Sequence, residues 1–254
     1  MEARWARLDL HLHTVLSACA EAEMTPPRIV ERALELGLAG IAITDHNSAE
    51  NVAAVQEAAA GTGLVVVAGL EIQTAEEVDL LALFDELSQA LTVQDRVYAG
   101  LGRARNRPEF FGEQIVVDRH GYPIRENTLL LQGRTDLSIE EAARLVHDHG
   151  GLAVAAHIDR PSRSLLGTLG FLPVGLDLDG IEVSRHANLE QLQGAHPGLA
   201  KLGAASFGDA HRLSEMGGRT EFLLRGVRLQ DIGRCFRGEC SGALRITDRT
   251  GQGA

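Results

Sequence analysis

Histidines and carboxylates recur along the sequence at the ends of apolar, strand-like runs. Asp9, His11 and His13 alternate with leucines, so a strand there places the three polar side chains on one face and the leucines on the other. Four later apolar runs end in the same residue types, at Asp45-His46, Glu71, His157 and Asp209-Ala210-His211. A set of imidazole and carboxylate groups without cysteine is typical of sites for zinc, manganese or iron. The pattern therefore indicates a metal centre.

The order of these runs also predicts the architecture that would bring the ligands together. Strand-like runs alternate with helical stretches, which indicates a parallel α/β structure. No Gly-x-Gly-x-x-Gly follows an early strand, so a dinucleotide-binding fold lacks its fingerprint. Active sites of α/β barrels are assembled at the carboxyl ends of the strands. We therefore expect a barrel with the metal site at that end.

Local signals predict individual elements. Thr25 followed by Pro26 is typical of a helix start, and Ser138 with Glu141 forms a capping box that predicts a helix ending near His149. Residues 100–136 break the alternation. Within them, residues 114–118 and 122–124 flank a glycine turn, which predicts a β-hairpin. We expect a single domain over residues 1–254 with an insertion at about 100–136.

Composition indicates the cellular compartment and the kinds of partner that we expect for this protein. Apolar runs are too short to span a bilayer, no signal-peptide pattern opens the chain, and three cysteines give no disulfide framework. These features favour a cytoplasmic protein with no membrane partner. The net charge of -11 and the lack of a basic stripe argue against a nucleic-acid polymer. The oligomeric state leaves no signal in the sequence.

The spaced motifs resemble a known family. Asp9-Leu10-His11-Leu12-His13-Thr14, Ile43-Thr44-Asp45-His46-Asn47, Gly69-Leu70-Glu71, His157 and Gly208-Asp209-Ala210-His211 are similar to the motif series of the polymerase and histidinol phosphatase (PHP) family of metal-dependent phosphoesterases. The resemblance runs from Leu8 to about Glu221. It implies a distorted (β/α)7 barrel that holds two or three divalent metal ions, Zn, Mn or Fe.

The resemblance also implies roles for individual residues. His11 and His13 would share a metal with Glu71, which would bridge, and Asp45 would orient a ligand. The other implied ligands are His46, His157, Asp209 and His211. Two positions depart from the family pattern: Glu21 stands where Asp is expected, and Asp79 stands where many members have His. Both can bind a metal through oxygen, and we predict that both do.

The implied activity is hydrolysis of a small-molecule phosphate monoester such as a nucleotide, a sugar phosphate or a histidinol phosphate-like compound. A metal pair would neutralise the phosphate and activate a water molecule. His157, Asp209 and His211 are the predicted catalytic residues, and either histidine could protonate the leaving group. Arg160 and Arg185 follow strand ends and are predicted to bind the substrate.

Two other functions stay open at this stage. An amidohydrolase acting on a C–N bond uses a similar barrel, although Lys201 is the only lysine that could be carbamylated. A non-catalytic module stabilised by metal is the second. Cys19 lies near the first motif but is interpreted as a small packed thiol, and His147 as a cation at a helix end that faces the helix dipole.

Overall fold

The computed structural model describes residues 2–239 and 244–247, in which strands and helices alternate. The strands are β1 Arg4–Leu12, β2 Gly40–Ile43, β3 Val65–Gln73, β4 Asp79–Phe84, β5 Ile115–Val117, β6 Pro123–Glu126, β7 Leu152–Ala155, β8 Gly180–Glu182, β9 Gly203–Ala205, β10 Thr220–Leu224 and β11 Leu244–Ile246. The helices are α1 Pro26–Glu35, α2 Val52–Ala59, α3 Leu87–Gly100, α4 Pro108–Phe111, α5 Ile139–Asp148, α6 Leu189–Ala195 and α7 Leu229–Phe236. Short 3₁₀ or π turns lie at Leu165–Leu169, Pro197–Lys201 and Leu213–Glu215.

The main sheet curls into a nearly closed barrel. Among the described residues its strand order is β11-β10-β1-β2-β3-β4-β7-β8-β9. Beyond β9, the Ser206 N–H donates to Thr220 Oγ1 at 2.7 Å, and the Arg219 N–H donates to the Ser206 carbonyl at 3.0 Å. These bonds join the end of β9 to the start of β10. The distorted barrel expected from the sequence is therefore confirmed.

Strand β4 runs against its neighbours. It pairs antiparallel with both β3 and β7, whereas β1, β2 and β3, and likewise β7, β8 and β9, are parallel. Residues 74–78 join β3 to β4 as a hairpin turn, too short for the crossover that a parallel pair needs. The predicted parallel arrangement is therefore corrected at β4, and also at β10, which pairs antiparallel with β1. Because of the reversal, Asp79 at the start of β4 lies at the same edge as Gln73 at the end of β3.

Strand β1 does not alternate as its sequence suggests. Leu8 and Leu10 belong to one apolar cluster and Leu12 belongs to the other. The pairing of β1 with β2 shifts by one residue between Asp9 and Leu12, which is a β-bulge. A bulge exchanges the faces of the residues beyond it. The predicted placement of all the leucines on one face is therefore wrong, and the bulge sets the direction of His11.

Two apolar clusters hold the barrel. One contains side chains from α1, α2, α3 and α5 against the outer side of the strands. The other contains inward strand residues and is closed by α7, whose Phe236 lies where a side chain on Gly180 or Gly203 would stand. No helix in the part of the chain that the structure describes is long and apolar enough to cross a membrane.

The inserted segment contains the predicted hairpin, formed by β5 and β6. It packs beside the carboxyl end of β1, where the Ile115 N–H donates to the Val15 carbonyl at 3.0 Å. Gly112 takes a φ of +93° and comes so close to the Ala18 carbonyl oxygen that a Cβ would lie 2.6 Å from it. The insertion therefore fixes the loop that follows β1.

Candidate metal centre

A cavity of about 290 Å³ opens at the carboxyl edge of the parallel strands. Its lining consists almost entirely of polar side chains from loops that follow different strands. They are Cys19, His46, Glu71, Asp79, Gln132, His157, Arg160, Ser162, Arg163, Asp209 and His211. His11 and His13 lie beneath this surface and are fully buried. The structure therefore brings together the strand-end residues that the sequence predicts as ligands.

Glu71 and Asp209 are the carboxylates around which the histidines gather. His11 Nε2 lies 3.3 Å from Glu71 Oε1 and 3.1 Å from Asp209 Oδ1. His13 Nε2 lies 3.4 Å from Glu71 Oε2 and 3.1 Å from Asp209 Oδ1. His157 Nε2 is 3.2 Å from Glu71 Oε1. Two carboxylates thus face three imidazoles in a space of a few ångströms.

The donor atoms form overlapping groups of the size that a cation needs. In each group the potential ligand atoms lie within 4.8 Å of one another. The groups are His11, His157 and Asp209; His11, His13 and Glu71; Glu71, Asp79 and His157; and His13, His46 and His211. Because members are shared, the arrangement suits neighbouring cations bridged by common ligands.

Several of these buried atoms have no hydrogen-bond partner. Among the described residues, Glu71 Oε2, Asp79 Oδ2 and His157 Nδ1 are buried without one. Glu71 Oε2 does lie 2.9 Å from His46 Nδ1, but the contact lacks hydrogen-bond geometry. A buried polar atom left unpaired costs about 1–3 kcal/mol. Divalent cations would remove that cost, so the residues present fit a metal centre.

A carboxylate relay orients His13. Asp45 Oδ1 accepts from the backbone N–H of Thr14 and from the Ser17 hydroxyl, both at 2.7 Å. Ser17 Oγ is in turn 2.9 Å from His13 Nδ1. The imidazole is therefore held by Nδ1 and presents Nε2 to the cavity, as metal-binding histidines commonly do. Asp45 thus occupies the position of the predicted orienting partner.

Glu182 plays the same part for His11, and sequence reasoning did not identify it. Its Oε2 lies 2.9 Å from His11 Nδ1 and accepts the backbone N–H of His157 at 3.0 Å. Glu182 ends β8 and is buried. It is a carboxylate at the end of a strand, the same signal that identified Glu71.

Asp9 connects β1 to the loop that carries Asp209. It accepts backbone N–H bonds from Gly208, Gly217 and Gly218 at 2.8–3.0 Å. A Cβ on Gly208 would lie 2.7 Å from the Asp9 carboxylate, so only glycine permits this approach. The bonds place the Asp209 loop against β1.

Backbone strain is concentrated at the cavity. Asn47, His157 and Asp209 have positive φ values of 53°, 28° and 43°. His157 and Asp209 are predicted ligands at strand ends, and Asn47 directly follows the predicted ligand His46. Such conformations cost about 1–3 kcal/mol in residues other than glycine. The surrounding hydrogen bonds maintain them. Asn47, for example, donates from Nδ2 to the carbonyls of Leu131 and Gly133 in the insertion.

Burial and neighbouring charges shift the pKa values of His11 and His13 in opposite directions. Burial, together with the neighbouring His211 and His46, lowers the pKa of His13 well below its usual range. Burial also acts to lower the pKa of His11, but the charges of Asp209, Glu182 and Glu71 raise it well above that range. Burial and the charge of Glu71 raise the pKa of Asp79 to about 7. His13 is therefore a neutral donor at neutral pH.

Two predicted residues lie away from the cluster. The Glu21 side chain is 52% exposed and pairs with Arg212 at 3.5 Å, because the turn after Ser17 directs it outward. Arg185 is exposed beyond β8, with Nε 3.2 Å from His186, and does not line the cavity. Arg160, by contrast, lines the cavity, and its Nη1 is 2.5 Å from Asp209 Oδ2.

Cys19, rather than Glu21, is the residue of this loop that lines the cavity. It lines the cavity beside His46 and His211. Burial raises the pKa of the thiol, but the neighbouring His211 and His46 lower it more strongly, to about 6. Cys19 is exposed and lines the cavity, so the interpretation of it as a small packed thiol is wrong.

The family assignment agrees with this geometry. The PHP domain model matches residues 9–166, and the chain belongs to the PHP domain family. The 5′-3′ exoribonuclease Rnm of Salmonella typhimurium is 26% identical over 217 residues, which are 80% of this chain and 72% of that protein. The chain is a metal-dependent hydrolase.

Solved structures extend the fold comparison. The lesion-specific endonuclease PfuEndoQ from Pyrococcus furiosus aligns with a TM-score of 0.65 and 19% identity over 96% of this chain. A complex of Endonuclease Q with a 27-mer duplex that has an abasic lesion at the active site aligns with a TM-score of 0.63 and 18% identity over 96% of this chain. This chain spans 58% of the length of either endonuclease chain.

These relatives overturn the expectation that a nucleic-acid polymer is not a partner, since their names specify action on RNA or DNA. The argument from net charge failed for a physical reason. Charges act mainly within a Debye length, about 8 Å at physiological salt, so the total of -11 says little about the potential at one cavity. Arg160 and Arg163 line that cavity, and the formal charge omits bound cations.

Proposed function

We propose that this protein is a metal-dependent phosphoesterase that hydrolyses phosphate ester bonds of nucleic acids, and that it acts on a strand end. The observation that carries the proposal is the set of buried, unpartnered carboxylate and imidazole atoms in a cavity that Arg160 also lines. The donors suit divalent cations, and the guanidinium suits a phosphate. The similarity to an exoribonuclease supports the choice of nucleic acid.

The cavity size favours a strand end. About 290 Å³ is at the lower limit for a small-ligand site and admits a phosphate with part of one nucleotide. A strand end can enter such a space, and so can a mononucleotide. The phosphate monoester expected from the sequence therefore remains within the proposal as a smaller substrate of the same site.

The residues would divide the chemistry among them. Cations held by Glu71, Asp209 and the histidines would neutralise phosphate oxygens and activate water. Arg160 would orient the phosphate, exchanging its pairing with Asp209 for a substrate oxygen. Its pKa is raised, because the attraction of Asp209, Glu182 and Glu71 outweighs the effect of burial, so it stays charged. His157 and Asp209 would hold the reacting phosphate group in place.

The test is a hydrolysis assay on the purified, metal-loaded protein. The panel contains 5′-phosphorylated single-stranded RNA and DNA, mononucleotides, histidinol phosphate and an amide library. We expect stepwise release of nucleotides from single strands. His157→Ala and Asp209→Asn should each lower kcat/KM by roughly 1,000-fold or more, about 4 kcal/mol.

The panel also contains the results that would contradict the proposal. Turnover of amides with no release of phosphate or nucleotide would replace it with the amidohydrolase alternative. Full metal loading with no hydrolysis of any compound would favour a non-catalytic module.

A further inference from the structure

Residues 103–112 of the insertion form an exposed stretch of chain that is both basic and aromatic. Three arginines and one glutamate give it a formal charge of +2, within a chain whose net charge is -11. The Phe110 side chain is 69% exposed, and that of Phe111 is 39% exposed. We call residues 103–112 the aromatic segment. Aromatic rings beside positive charge suit a single-stranded nucleic acid, whose bases stack on the rings and whose phosphates attract the charge.

The arginines of the aromatic segment have no acidic partner. Arg125 and Arg134, which also belong to the insertion, each pair with a glutamate outside it. By contrast, three arginines form no ion pair with any residue that the structure describes, and they are Arg103, Arg105 and Arg107. The Arg107 guanidinium lies instead over the Phe110 ring, with Cζ 4.5 Å from the ring centroid. The positive charge of this surface is therefore available to an anion.

Hydrogen bonds hold the aromatic segment at both of its ends. The Asn106 N–H donates to the Thr128 carbonyl at 3.0 Å, and the Leu130 N–H donates to the Ala104 carbonyl at 3.2 Å. Asn106 Nδ2 donates to the Gly112 carbonyl at 2.8 Å, which closes the turn around α4. A surface that is ordered in advance loses less conformational entropy when a ligand binds.

The same contacts place the aromatic segment beside the metal cavity. On one side it pairs with residues 128–130, which lead directly to Gln132. On the other side Gly112 packs against Ala18, the neighbour of Cys19. Gln132 and Cys19 both line the cavity. The segment therefore lies between two stretches of chain that reach the cavity wall.

We propose that the aromatic segment binds a single-stranded nucleic acid, and that it holds the nucleotides next to the one at the metal centre. Phe110 and Phe111 stack on bases, and the arginines bind phosphates. This surface rests on the proposed action on a strand end. A duplex binds more weakly, because its bases are already stacked on one another. Longer single strands are better substrates than a dinucleotide, because they also reach this surface.

Binding of a fluorescent single strand tests the two rings. The probe is an RNA strand of roughly 12 nucleotides, within the range of known single-strand sites. Its phosphorothioate linkages slow hydrolysis, so the full metal-loaded chain can be used. The double variant Phe110→Ala, Phe111→Ala should bind the probe roughly tenfold more weakly, or worse, for each ring removed. It should keep the metal content of the wild type and lose most of the preference for long strands over a dinucleotide.

The salt dependence of binding tests the charges separately. Each phosphate contact of a single strand contributes about 0.7 to the slope of log affinity against log salt concentration. The double variant Arg103→Gln, Arg105→Gln should therefore lower that slope by about 1.4. A slope equal to that of the wild type would remove both arginines from the surface.

Trp5→Ala is the matched control, because it removes a similar contact from the opposite edge of the barrel. Trp5 is 38% exposed, and Arg245 Cζ lies 4.0 Å from its ring centroid. Trp5 lies near the amino end of β1, whereas the cavity lies at the carboxyl edge of the parallel strands. Trp5→Ala should bind the probe as tightly as the wild type does.

The outcomes separate this surface from the proposed function. A phenylalanine double variant that binds the probe like the wild type overturns the surface, and so does a wild type that binds the matching duplex equally well. If the double variant only converts a dimer to a monomer in size-exclusion chromatography, the rings join two copies of the chain and the surface is again overturned. Hydrolysis of strands would survive either result. Binding that depends on the rings, without hydrolysis of any compound, would support the surface and overturn the phosphoesterase.

Discussion

Two polar clusters in this protein contain histidine and aspartate, yet they differ in what they leave unpaired. In the first, at the metal centre, Glu71, Asp79 and His157 each have a buried atom without a hydrogen-bond partner. In the second, beside α5, His147 Nε2 is 2.9 Å from Asp179 Oδ2, and Arg237 Nη1 is 2.8 Å from Asp179 Oδ1.

The second cluster is complete in itself. Asp179 Oδ2 also accepts the Ala153 N–H at 3.0 Å, which links the cluster to β7. His147 is thus the partner of a carboxylate as well as a residue at a helix end. The comparison teaches that residue types alone do not identify a metal site. A cluster that satisfies its own hydrogen bonds is structural, and one that leaves buried donors and acceptors unpaired needs a ligand.

Removing one negative charge from each cluster gives the sharpest contrast and the largest expected effect. Glu182→Gln keeps an acceptor for His11 but loses the charge that raises its basicity, so metal affinity should fall roughly 10–100-fold. Asp179→Asn should leave metal affinity unchanged and lower the free energy of unfolding by about 1 kcal/mol. Calorimetric metal titration and urea unfolding of both variants measure the two effects. Equal metal affinity in the two variants would break the comparison.

The sequence could predict the metal centre because its ligands follow strands. His11, His13, His46, His157 and His211 all lie at the carboxyl edge, as the alternation of strands and helices indicated. That edge is a property of topology, which hydrophobic patterning encodes.

Details that depend on a single backbone turn could not be predicted. Two loop hydrogen bonds, one of them to the carbonyl of distant His211, leave Cys19 lining the cavity and Glu21 outside it. The bulge in β1 depends on register, which the alternation of leucines conceals. Glu182 meets His11 only after the barrel closes, so no local pattern connects them.

A smaller effect is expected where substrate rather than metal is held. Arg160→Ala should lower kcat/KM by roughly tenfold, about 1.4 kcal/mol, with full metal content, because the phosphate loses its guanidinium contact. Arg185→Ala is the matched control, since that side chain is exposed and outside the cavity lining. Steady-state kinetics with metal analysis of each variant provide the check. A fall in Arg185→Ala equal to that in Arg160→Ala would restore the prediction that both bind substrate.

The smallest effect concerns pH and the second cluster. The hydrogen bond that His147 donates to Asp179 raises the pKa of His147 above 6.5 in the folded state. The stability that the pair contributes is therefore fully present below about pH 6.5 and is lost as pH rises through the raised pKa. His147→Ala should cost about 0.5–1 kcal/mol at pH 6 and less at pH 9. Urea unfolding at both pH values is the measurement, and a loss that grows with pH would contradict the pairing.

The central claim is that the unpaired cluster holds cations and the paired cluster does not. Metal analysis by mass spectrometry, on protein purified without chelator and reconstituted with zinc, manganese and iron, measures this directly. The histidines to remove are His11 and His13 together from the first cluster, and His147 from the second as the control.

We predict at least two equivalents of metal per chain in the wild type and in His147→Ala. The double variant His11→Ala, His13→Ala should bind fewer, with its far-ultraviolet circular dichroism unchanged. Less than one equivalent in the reconstituted wild type, or the same metal content in all three proteins, would contradict the account.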